Sequence, residues 1–478
     1  MATHLLFHEL RDGSHVHRIV RHSPRVLKAR NRGNRGAAIR YEMSFYPYIK
    51  KARLAVILLL SGFGAWASPL LAQDTHKPSP YLFGDWGGVR TRLAEEKGIT
   101  FEFFYITDLL ANPAGGSTEK ESGWERVRGT MDVDFGKLAN LQGFSMHATG
   151  VWQSGVNLGA GINPATGKPY FGSIAKPSGI VTAHTTRLDS FWFQKDLFNQ
   201  KLSIRAGQFA GMHSYGAQYY GAYYLMGPLS YAFGNLFNTY ESFDPAPGPA
   251  VEIKVAPIRT VYYRAAYMSG NRDPYKEDST GFNYVKHNSG VFLNEIGFLF
   301  DPPGTTTSRR TRYPGLYKLG GVYNGGKFTD PFTKKSSDKN YLIYFMANQA
   351  VFRSTGNPNK GLDVHFGVDY SPDEAFNKVD KQFTGGAIYN GLIPKRDKDA
   401  IAFGFVYSQI SDSYRHGFSN EGLLKPKLGS EKAFEVNYRV QVTPWLQWQP
   451  VVQVYHDLGA NSKNGTGVIA GFRTKVTF

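Results

Sequence analysis

The sequence has no cysteine and few charged residues, 19% of the chain against about 25% in an average soluble protein. Without thiols there can be no disulfide scaffold, thiolate zinc site, iron–sulfur cluster, c-type haem or cysteine nucleophile. Long apolar runs are missing after residue 72, so no later segment has the ~20 apolar residues of a transmembrane helix. The 53 glycines and the low charge argue against a disordered or coiled-coil chain. One large β-barrel could use the whole length of 478 residues.

The formal net charge of +17 is concentrated at the beginning of the sequence, where residues 1–72 carry +9 of it. A strongly basic segment can bind nucleic acid, but residues 1–42 lack the interleaved aromatic side chains and the modules of such proteins. We interpret residues 1–42 as a doubtful extension, produced by assigning the start too early, with Met43 as the true start. A basic nucleic-acid-binding arm is the alternative, and we predict no nucleic-acid partner.

Residues 43–72 have the three parts of a secretory signal peptide. A basic region ends at Arg53, the mostly apolar run 54–67 follows, and small residues come next. The run is too short to span a bilayer comfortably, and we expect cleavage after Ala67 or after Ala72. A buried core helix is the alternative, but the basic flank and the polar, proline-bearing stretch that follows favour export.

The rest of the chain alternates apolar and polar residues with a period of two, which is typical of strands with two unlike faces. In 361–370, for example, apolar residues alternate with Asp363, His365 and Asp369. Sixteen segments have about the ten residues that a tilted strand needs to cross a bilayer. They lie at 99–108, 126–136, 144–153, 184–195, 201–209, 249–256, 259–269, 291–300, 312–324, 340–352, 361–370, 381–392, 399–409, 432–442, 444–455 and 468–478. We predict an all-β fold, a 16-stranded antiparallel transmembrane β-barrel over 99–478, preceded by a segment at 73–98 with a short helix.

The connections between these segments are long after odd-numbered strands and mostly short after even-numbered ones. Outer-membrane barrels are built in this way, with tight periplasmic turns and long extracellular loops, whereas a soluble β-sandwich, the alternative, has no reason to sort its loops. The last predicted strand ends at the aromatic Phe478, which resembles the signature by which outer-membrane barrels are passed to their assembly machinery. Outer-membrane lipid and this machinery are therefore the predicted partners of the barrel.

Four stretches resemble the carbohydrate-selective porins of the OprB family: FGDWGGVRTRLAEEKGI at 83–99, KLSIRAGQFA at 201–210, YKLGGVYNGGKF at 317–328 and FEVNYRVQVTPWLQWQPVVQ at 434–453. The first stretch carries the N-terminal motif of the family. Its residues of interest are Gly84, Asp85, Trp86, Gly87 and Arg90. The resemblance implies a sixteen-stranded barrel in the outer membrane of Gram-negative bacteria that passes monosaccharides and small polyols down their gradient. We expect the motif to pack at the periplasmic mouth or in the lumen, with a ligand role for Asp85 or Arg90 as the alternative.

Charged residues on the inward face of the strands are the candidates for the pore lining, because Arg or Lys facing lipid costs ~2–4 kcal/mol at the midplane. The predicted pore-lining residues are Glu102, Arg128, Asp132, Arg187, Arg205, Glu252, Arg264, Glu295, Glu435 and Arg439. Arginine and carboxylate groups can exchange hydrogen bonds with sugar hydroxyls. In the long third loop, Tyr219, Tyr220 and Tyr223 could stack on pyranose rings if that loop folds into the barrel. For each charge, the alternative is that it only solvates the wall and forms transverse pairs.

The function predicted from the sequence is passive, carbohydrate-selective diffusion of glucose-like sugars through a polar constriction, without enzyme activity, cofactor or metal. A less selective or anion-preferring porin is the first alternative, favoured by the net charge of +8 after residue 72. An outer-membrane hydrolase is the second, but the sequence has no G-x-S-x-G or H-E-x-x-H motif. The sequence leaves the sugar open, and the assembly is either a monomer or a homotrimer.

Overall fold

A computed structural model describes residues 79–232, 234–239, 244–270, 290–300, 313–420 and 428–478. Sixteen antiparallel strands form a closed barrel in which each strand pairs with its neighbours in sequence and the last strand pairs with the first. The strands are β1 (Ile99–Ala114), β2 (Glu121–Asp134), β3 (Phe144–Gly155), β4 (Thr185–Leu197), β5 (Leu202–Phe209), β6 (Gly248–Ile258), β7 (Val261–Ser269), β8 (Gly290–Phe300), β9 (Gly315–Asn324), β10 (Asn340–Ser354), β11 (Asn357–Tyr370), β12 (Val379–Asn390), β13 (Ala400–Ile410), β14 (Ser430–Thr443), β15 (Leu446–His456) and β16 (Thr466–Thr477). The predicted fold class and strand number are confirmed.

The two faces of each strand differ as the alternation predicts. Apolar side chains on the outer face are exposed, among them Phe103, Ile253 and Leu319, which are 38%, 47% and 57% accessible. Their neighbours in sequence point inward, where they meet polar groups from the adjacent strands. Across the closing seam, for example, Asp108 of β1 stands opposite Arg473 of β16. A strand needs an apolar outer face and a polar inner face when one face meets lipid and the other meets the lumen.

Two long loops fold into the barrel. Loop L2 comprises residues 156–184 between β3 and β4, and loop L3 is the connection between β5 and β6, described at 210–232, 234–239 and 244–247. Leu225, Met226 and Leu229 of L3 are fully buried and belong to one apolar cluster with residues of the barrel wall. The core therefore sits inside the barrel, where L3 packs against the wall and fills part of the lumen.

The predicted sorting of the loops holds for most but not all connections. Tight turns at 355–356 and 444–445 follow even-numbered strands, and L2 and L3 follow odd-numbered ones. The first loop, predicted at 109–125, is only 115–120 because β1 and β2 continue pairing as far as Ala111 and Glu121. β1 and β2 are therefore longer than the roughly ten residues that a tilted strand needs to cross a bilayer.

Helix α1 (Val89–Glu96) forms where the sequence predicts a short helix. Asp85 accepts a hydrogen bond through Oδ1 from the backbone N of Thr91 at 3.0 Å, close to the start of the helix. Gly98 follows with φ +67°, and a Cβ there would lie 2.8 Å from the main-chain oxygen of Asp134. Glycine is therefore required at this turn into β1.

The remaining elements are short. They are α2 (Phe135–Ala139), α3 (Gly227–Ser230), α4 (Asp412–Asn420), the 3₁₀ turns Gly211–His213, Gly221–Tyr223, Gly234–Thr239, Leu458–Ala460 and Ser462–Asn464, and a small hairpin of Phe328–Thr329 with Ser336–Ser337. Within the described ranges, none of the helices has the length and apolar character to cross a membrane. The predicted extension at 1–42 and signal peptide at 43–72 lie outside the described residues.

Candidate functional site

The tyrosine-rich part of L3 is fixed inside the barrel by two buried carboxylates on different strands. Glu295 of β8 accepts a hydrogen bond from the backbone N of Gly216 at 3.2 Å. Glu435 of β14 accepts from the backbone N atoms of Leu225 and Met226 at 2.9 and 2.7 Å. Carboxylates that accept several backbone donors make strong, charge-assisted hydrogen bonds. Residues 216–226 are therefore held at both ends.

The far end of L3 is anchored to β2 through Asp244. Arg126 and Arg128 donate to Asp244 Oδ2 at 3.0 and 3.1 Å, and Tyr231 OH donates to the same atom at 2.9 Å. Burial alone would raise the pKa of Asp244, but the two guanidinium groups hold this pKa well below its usual value. Arg128 also pairs with Asp189 of β4. The loop end is thus an ion-pair network buried against the wall.

Loop L2 is docked in the same manner. Glu431 of β14 accepts from the backbone N atoms of Ile174 and Ala175, with shortest distances of 3.0 and 2.8 Å. Gln453 of β15 donates through Nε2 to the main-chain oxygen of Pro177 at 2.8 Å. L2 and L3 therefore share contacts with β14, while L3 is also anchored to β8 and β2.

The lumen contains a cavity of about 490 Å³ beside L3, which we call the arginine cavity. Its lining comes from strands β2 to β5 and from L3. The lining residues are Arg128, Thr130, His147, Thr149, Ser190, Trp192, Arg205, Phe209, Ala210, Met212, His213, Ala217, Ser230 and Tyr231. A second cavity of about 240 Å³ adjoins Trp192, and its lining includes Asp132, Asp134 and Lys137 near the ends of α1 and β2. Trp192 thus lines both spaces.

Three of the predicted pore arginines reach the lumen in a common arrangement. The side chains of Arg128, Arg205 and Arg264 are 14%, 15% and 18% accessible, and each is paired with a carboxylate that is more deeply buried. Arg264 Nη2 lies 2.6 Å from Glu295 Oε1, and Arg205 Nη2 lies 2.9 Å from Glu252 Oε1. The cations therefore face the water while their partners lie behind them.

The predicted carboxylates divide into two groups. Glu102 and Asp132 remain exposed, as a pore-lining role requires. Glu295 and Glu435 point inward as predicted, but both are 0% exposed because L3 covers them. The expectation that these two line the open pore is wrong, since their oxygens are used to hold the loop.

Two more of the predicted pore-lining residues are buried. Glu252 and Arg187 are 7% and 4% exposed, so they form part of the wall behind the pore surface. Arg439 stays half-buried and stacks on L3, with its Cζ 3.9 Å from the ring centre of Tyr223.

The predicted tyrosines of L3 form a cluster inside the barrel. Tyr219 is 58% exposed, and its ring stands perpendicular to that of Tyr220 with 4.8 Å between the ring centres. Tyr220 OH donates to Oδ1 of Asp363 in β11 at 3.1 Å. The loop therefore folds into the barrel as the stacking prediction requires, and Tyr219 offers the accessible ring.

The N-terminal motif lies away from the arginine cavity. Arg90 donates from Nη2 to the main-chain oxygen of Phe101 at 2.6 Å, and its guanidinium packs over Tyr81 and Trp86 at 3.5 and 4.8 Å. Gly84 and Gly87 have positive φ values of 64° and 66°, and they shape the turns before α1. The contacts support the structural interpretation of this motif.

Among the lining residues of the arginine cavity that sequence reasoning missed are Trp192, His147 and His213. His147 stacks on Trp192 with 4.8 Å between ring centres, and the two residues stand opposite each other in the β3–β4 register. His147 alternates with outward-facing Met146 and Ala148, so the period-2 pattern of β3 places His147 on the inner face. Its register partner Trp192 lies on the same face. His213 lies in L3, where no strand pattern applies.

Comparison with known proteins now identifies the family. Residues 124–478 match the family described as "Carbohydrate-selective porin, OprB family". The chain belongs to this family. It is 22% identical over 452 residues to Porin B of Pseudomonas aeruginosa, which covers 88% of this chain and 96% of that protein.

Solved structures agree with the barrel. The high-pH structure of Pseudomonas putida OprB superposes with a TM-score of 0.74 at 20% identity, covering 85% of this chain and all of that one. The low-pH structure of the same protein gives a TM-score of 0.52 at 16% identity, covering 84% and 100%. This OprB-family porin is an outer-membrane channel and not an enzyme.

Proposed function

We propose that this OprB-family porin passes glucose-like monosaccharides and small polyols through the gap between L3 and strands β2 to β7. The observation that carries the proposal is the anchoring of residues 216–226 between Glu295 and Glu435. This anchoring fixes the accessible ring of Tyr219 inside the barrel, and the wall of the same barrel carries the inward-facing arginines.

The groups in the channel can replace the water of a sugar. Arg128, Arg205 and Arg264 present guanidinium N–H donors, and the hydroxyl groups of the half-buried Thr130 and Ser230 both donate and accept. The apolar face of a pyranose can stack on Tyr219, whose ring is the most accessible of the three predicted tyrosines. A sugar therefore exchanges water hydrogen bonds for protein hydrogen bonds without a large net cost.

Flux requires that this binding is weak and distributed over several sites. The arginines keep their carboxylate partners while they face the lumen, so each has only part of its donors available to a solute. We expect sugar dissociation constants of about 1 mM or weaker, which corresponds to ~4 kcal/mol of binding free energy.

Liposome swelling with sugars of increasing size tests the proposal. We expect glucose to enter faster than disaccharides, and we expect Tyr219→Ala to slow glucose relative to glycerol while Tyr219→Phe, which keeps the ring, does not. Reversal potentials in planar bilayers, with and without glucose, distinguish the anion-preferring alternative. An anion current that glucose does not reduce would exclude the carbohydrate role.

A further inference from the structure

We propose that the arginine cavity accepts sugar acids, that is, pyranoses that carry a carboxylate, in preference to neutral sugars of the same shape. This inference rests on the proposed sugar channel and specifies its substrate class. It starts from the composition of the cavity wall, which holds cationic side chains and hydroxyl groups together.

The cavity is lined by two arginines, which are positively charged, and by two histidines, which gain a positive charge when protonated. Arg128 and Arg205 contribute guanidinium groups, and His147 and His213 contribute imidazoles. None of the described residues that line the cavity is an aspartate or a glutamate. A carboxylate ligand would therefore meet donors on several sides and no like charge in the wall itself.

The carboxylates that balance the two arginines lie behind them. The side chains of Asp189 and Asp244 are 0% and 2% accessible, and that of Glu252 is 9% accessible. They fix the guanidinium groups from the wall side and do not belong to the cavity lining. The surface that a solute meets is consequently more positive than the sum of the ion pairs suggests.

Arg205 is held in the cavity wall by an ion pair, a hydrogen bond and two aromatic rings. Its Nη2 lies 2.9 Å from Glu252 Oε1 and donates to Ser214 Oγ at 3.1 Å, whereas its Nη1 has no hydrogen-bond partner among the described residues. Its Cζ lies 3.9 Å from the ring centre of Phe209 and 5.2 Å from that of Trp192. The stacked rings hold the guanidinium plane, and Nη1 can donate one charge-assisted hydrogen bond to a carboxylate.

The rest of the wall matches the hydroxyl groups of a sugar. Thr130, Ser230 and Tyr231 line the cavity with half-buried hydroxyl groups, and the hydroxyl groups of Thr149 and Ser190 lie deeper in the wall. The volume of about 490 Å³ lies within the usual range of small-molecule sites, ~300–1,000 Å³, and leaves room for one pyranose with some water. A small inorganic anion could not use these hydroxyl groups at the same time as Arg205.

Negative charge appears at the side of the cavity where the second, 240 Å³ space begins. Asp132 lines that space and its Oδ1 lies 2.6 Å from His147 Nδ1, and Asp134 lines it as well. A sugar acid that leaves the arginine cavity in this direction meets like charge. Repulsion there raises the barrier to passage in that direction, so the preference for a carboxylate is confined to the arginine cavity.

The test uses three ligands of nearly equal shape in planar bilayers: glucose, glucuronate and the neutral glucuronamide. The measured quantity is the concentration of each ligand that halves the small-ion current of the intact porin. We expect this concentration to be about fivefold lower for glucuronate than for glucuronamide, as one charge-assisted hydrogen bond in a partly wet site would give. Arg205→Gln should remove the difference, and Arg205→Lys should keep part of it.

Lys475→Gln is the matched control, because Lys475 is an inward-facing cation of β16 that does not line the cavity. The preference for glucuronate should survive in this variant. Equal block by glucuronate and glucuronamide, with glucose still entering liposomes, would overturn the inference and leave the sugar channel intact. Failure of all three ligands to block or pass would overturn the proposed function itself. A preference lost in Lys475→Gln and kept in Arg205→Gln would place the anion site elsewhere and contradict the assignment.

Discussion

Arg90 donates from Nη1 to the main-chain oxygen of Phe478 at 2.7 Å, although the two residues are 388 positions apart in the sequence. Phe478 in turn donates its backbone N to the main-chain oxygen of Phe103 at 2.8 Å and stacks on Phe83 with 5.4 Å between ring centres. The N-terminal motif therefore joins the two strands, β1 and β16, whose pairing closes the barrel.

From these contacts we predict that Arg90→Ala destabilises the closing seam. The variant loses two hydrogen bonds to main-chain oxygens and the packing on Tyr81 and Trp86, a loss of roughly 2–3 kcal/mol. The temperature at which the barrel loses its compact mobility in detergent gel electrophoresis should fall. Arg92→Ala, on the exposed side of the same helix, should leave this temperature within error.

Because the chain has no cysteine, engineered disulfides can test whether Arg90 acts at the closing seam. Phe104 and Thr477 are register partners across the seam, and Thr130 and Thr149 are register partners between β2 and β3. An engineered disulfide at the first pair should restore the stability of Arg90→Ala, and one at the second pair should not. Equal rescue by both disulfides would show that the effect is not specific to the seam.

We predict that Glu435→Gln loosens L3. The substitution places an amide group opposite the backbone N atoms of Leu225 and Met226, so at least one buried donor loses its acceptor, at a cost of about 1–3 kcal/mol. Single-channel recordings should show a higher and noisier conductance with weaker discrimination between glucose and disaccharides. Glu102→Gln changes an exposed lumen carboxylate without loop contacts among the described residues and serves as the control. Unchanged noise in Glu435→Gln would contradict the anchoring role.

The difference between Glu102 and Glu435 also shows what the sequence can and cannot predict. Both residues belong to strands whose two faces alternate, and this local pattern correctly directs both side chains inward. Whether an inward side chain meets water depends on L2 and L3, which pack on the wall from distant parts of the chain. No local pattern encodes that contact, so the burial of Glu295 and Glu435 could not be read from their own strands.

The strands were predictable for a physical reason. Each lipid-facing position must be apolar independently of the rest of the fold, so the sequence of every single strand shows the alternation. The site is assembled instead from pairs such as Arg205 with Trp192, or His147 with Trp192, that come from neighbouring strands. Register decides such pairs, and register follows from the whole barrel.

Two adjacent residues of β6 face opposite sides of the barrel wall, one toward lipid and one toward the lumen. Ile253 lies near the middle of β6 with 47% of its surface exposed on the outer face, and Lys254 follows it on the inner face. Ile253→Arg should destabilise the folded barrel in bilayers by about 2–4 kcal/mol, measured by urea titration in lipid vesicles. Lys254→Arg should have little effect, because the lumen already accommodates a cation there. Similar losses in the two variants would mean that the outer face of β6 does not meet lipid.

The anchor at Asp244 should resist acid. Because Arg126 and Arg128 hold the pKa of Asp244 below its usual value, the ionised form contributes stability above the pKa of the unfolded chain, about 3.9, and loses it only as the pH falls through the lowered pKa. The difference in unfolding temperature between the wild type and Asp244→Asn should therefore stay constant from pH 7 to about pH 5 and shrink in stronger acid. Both proteins contain the same other carboxylates, so their titration largely cancels in the difference. A difference that already vanishes near pH 5 would mean that Asp244 is not held in its ionised form by the two arginines.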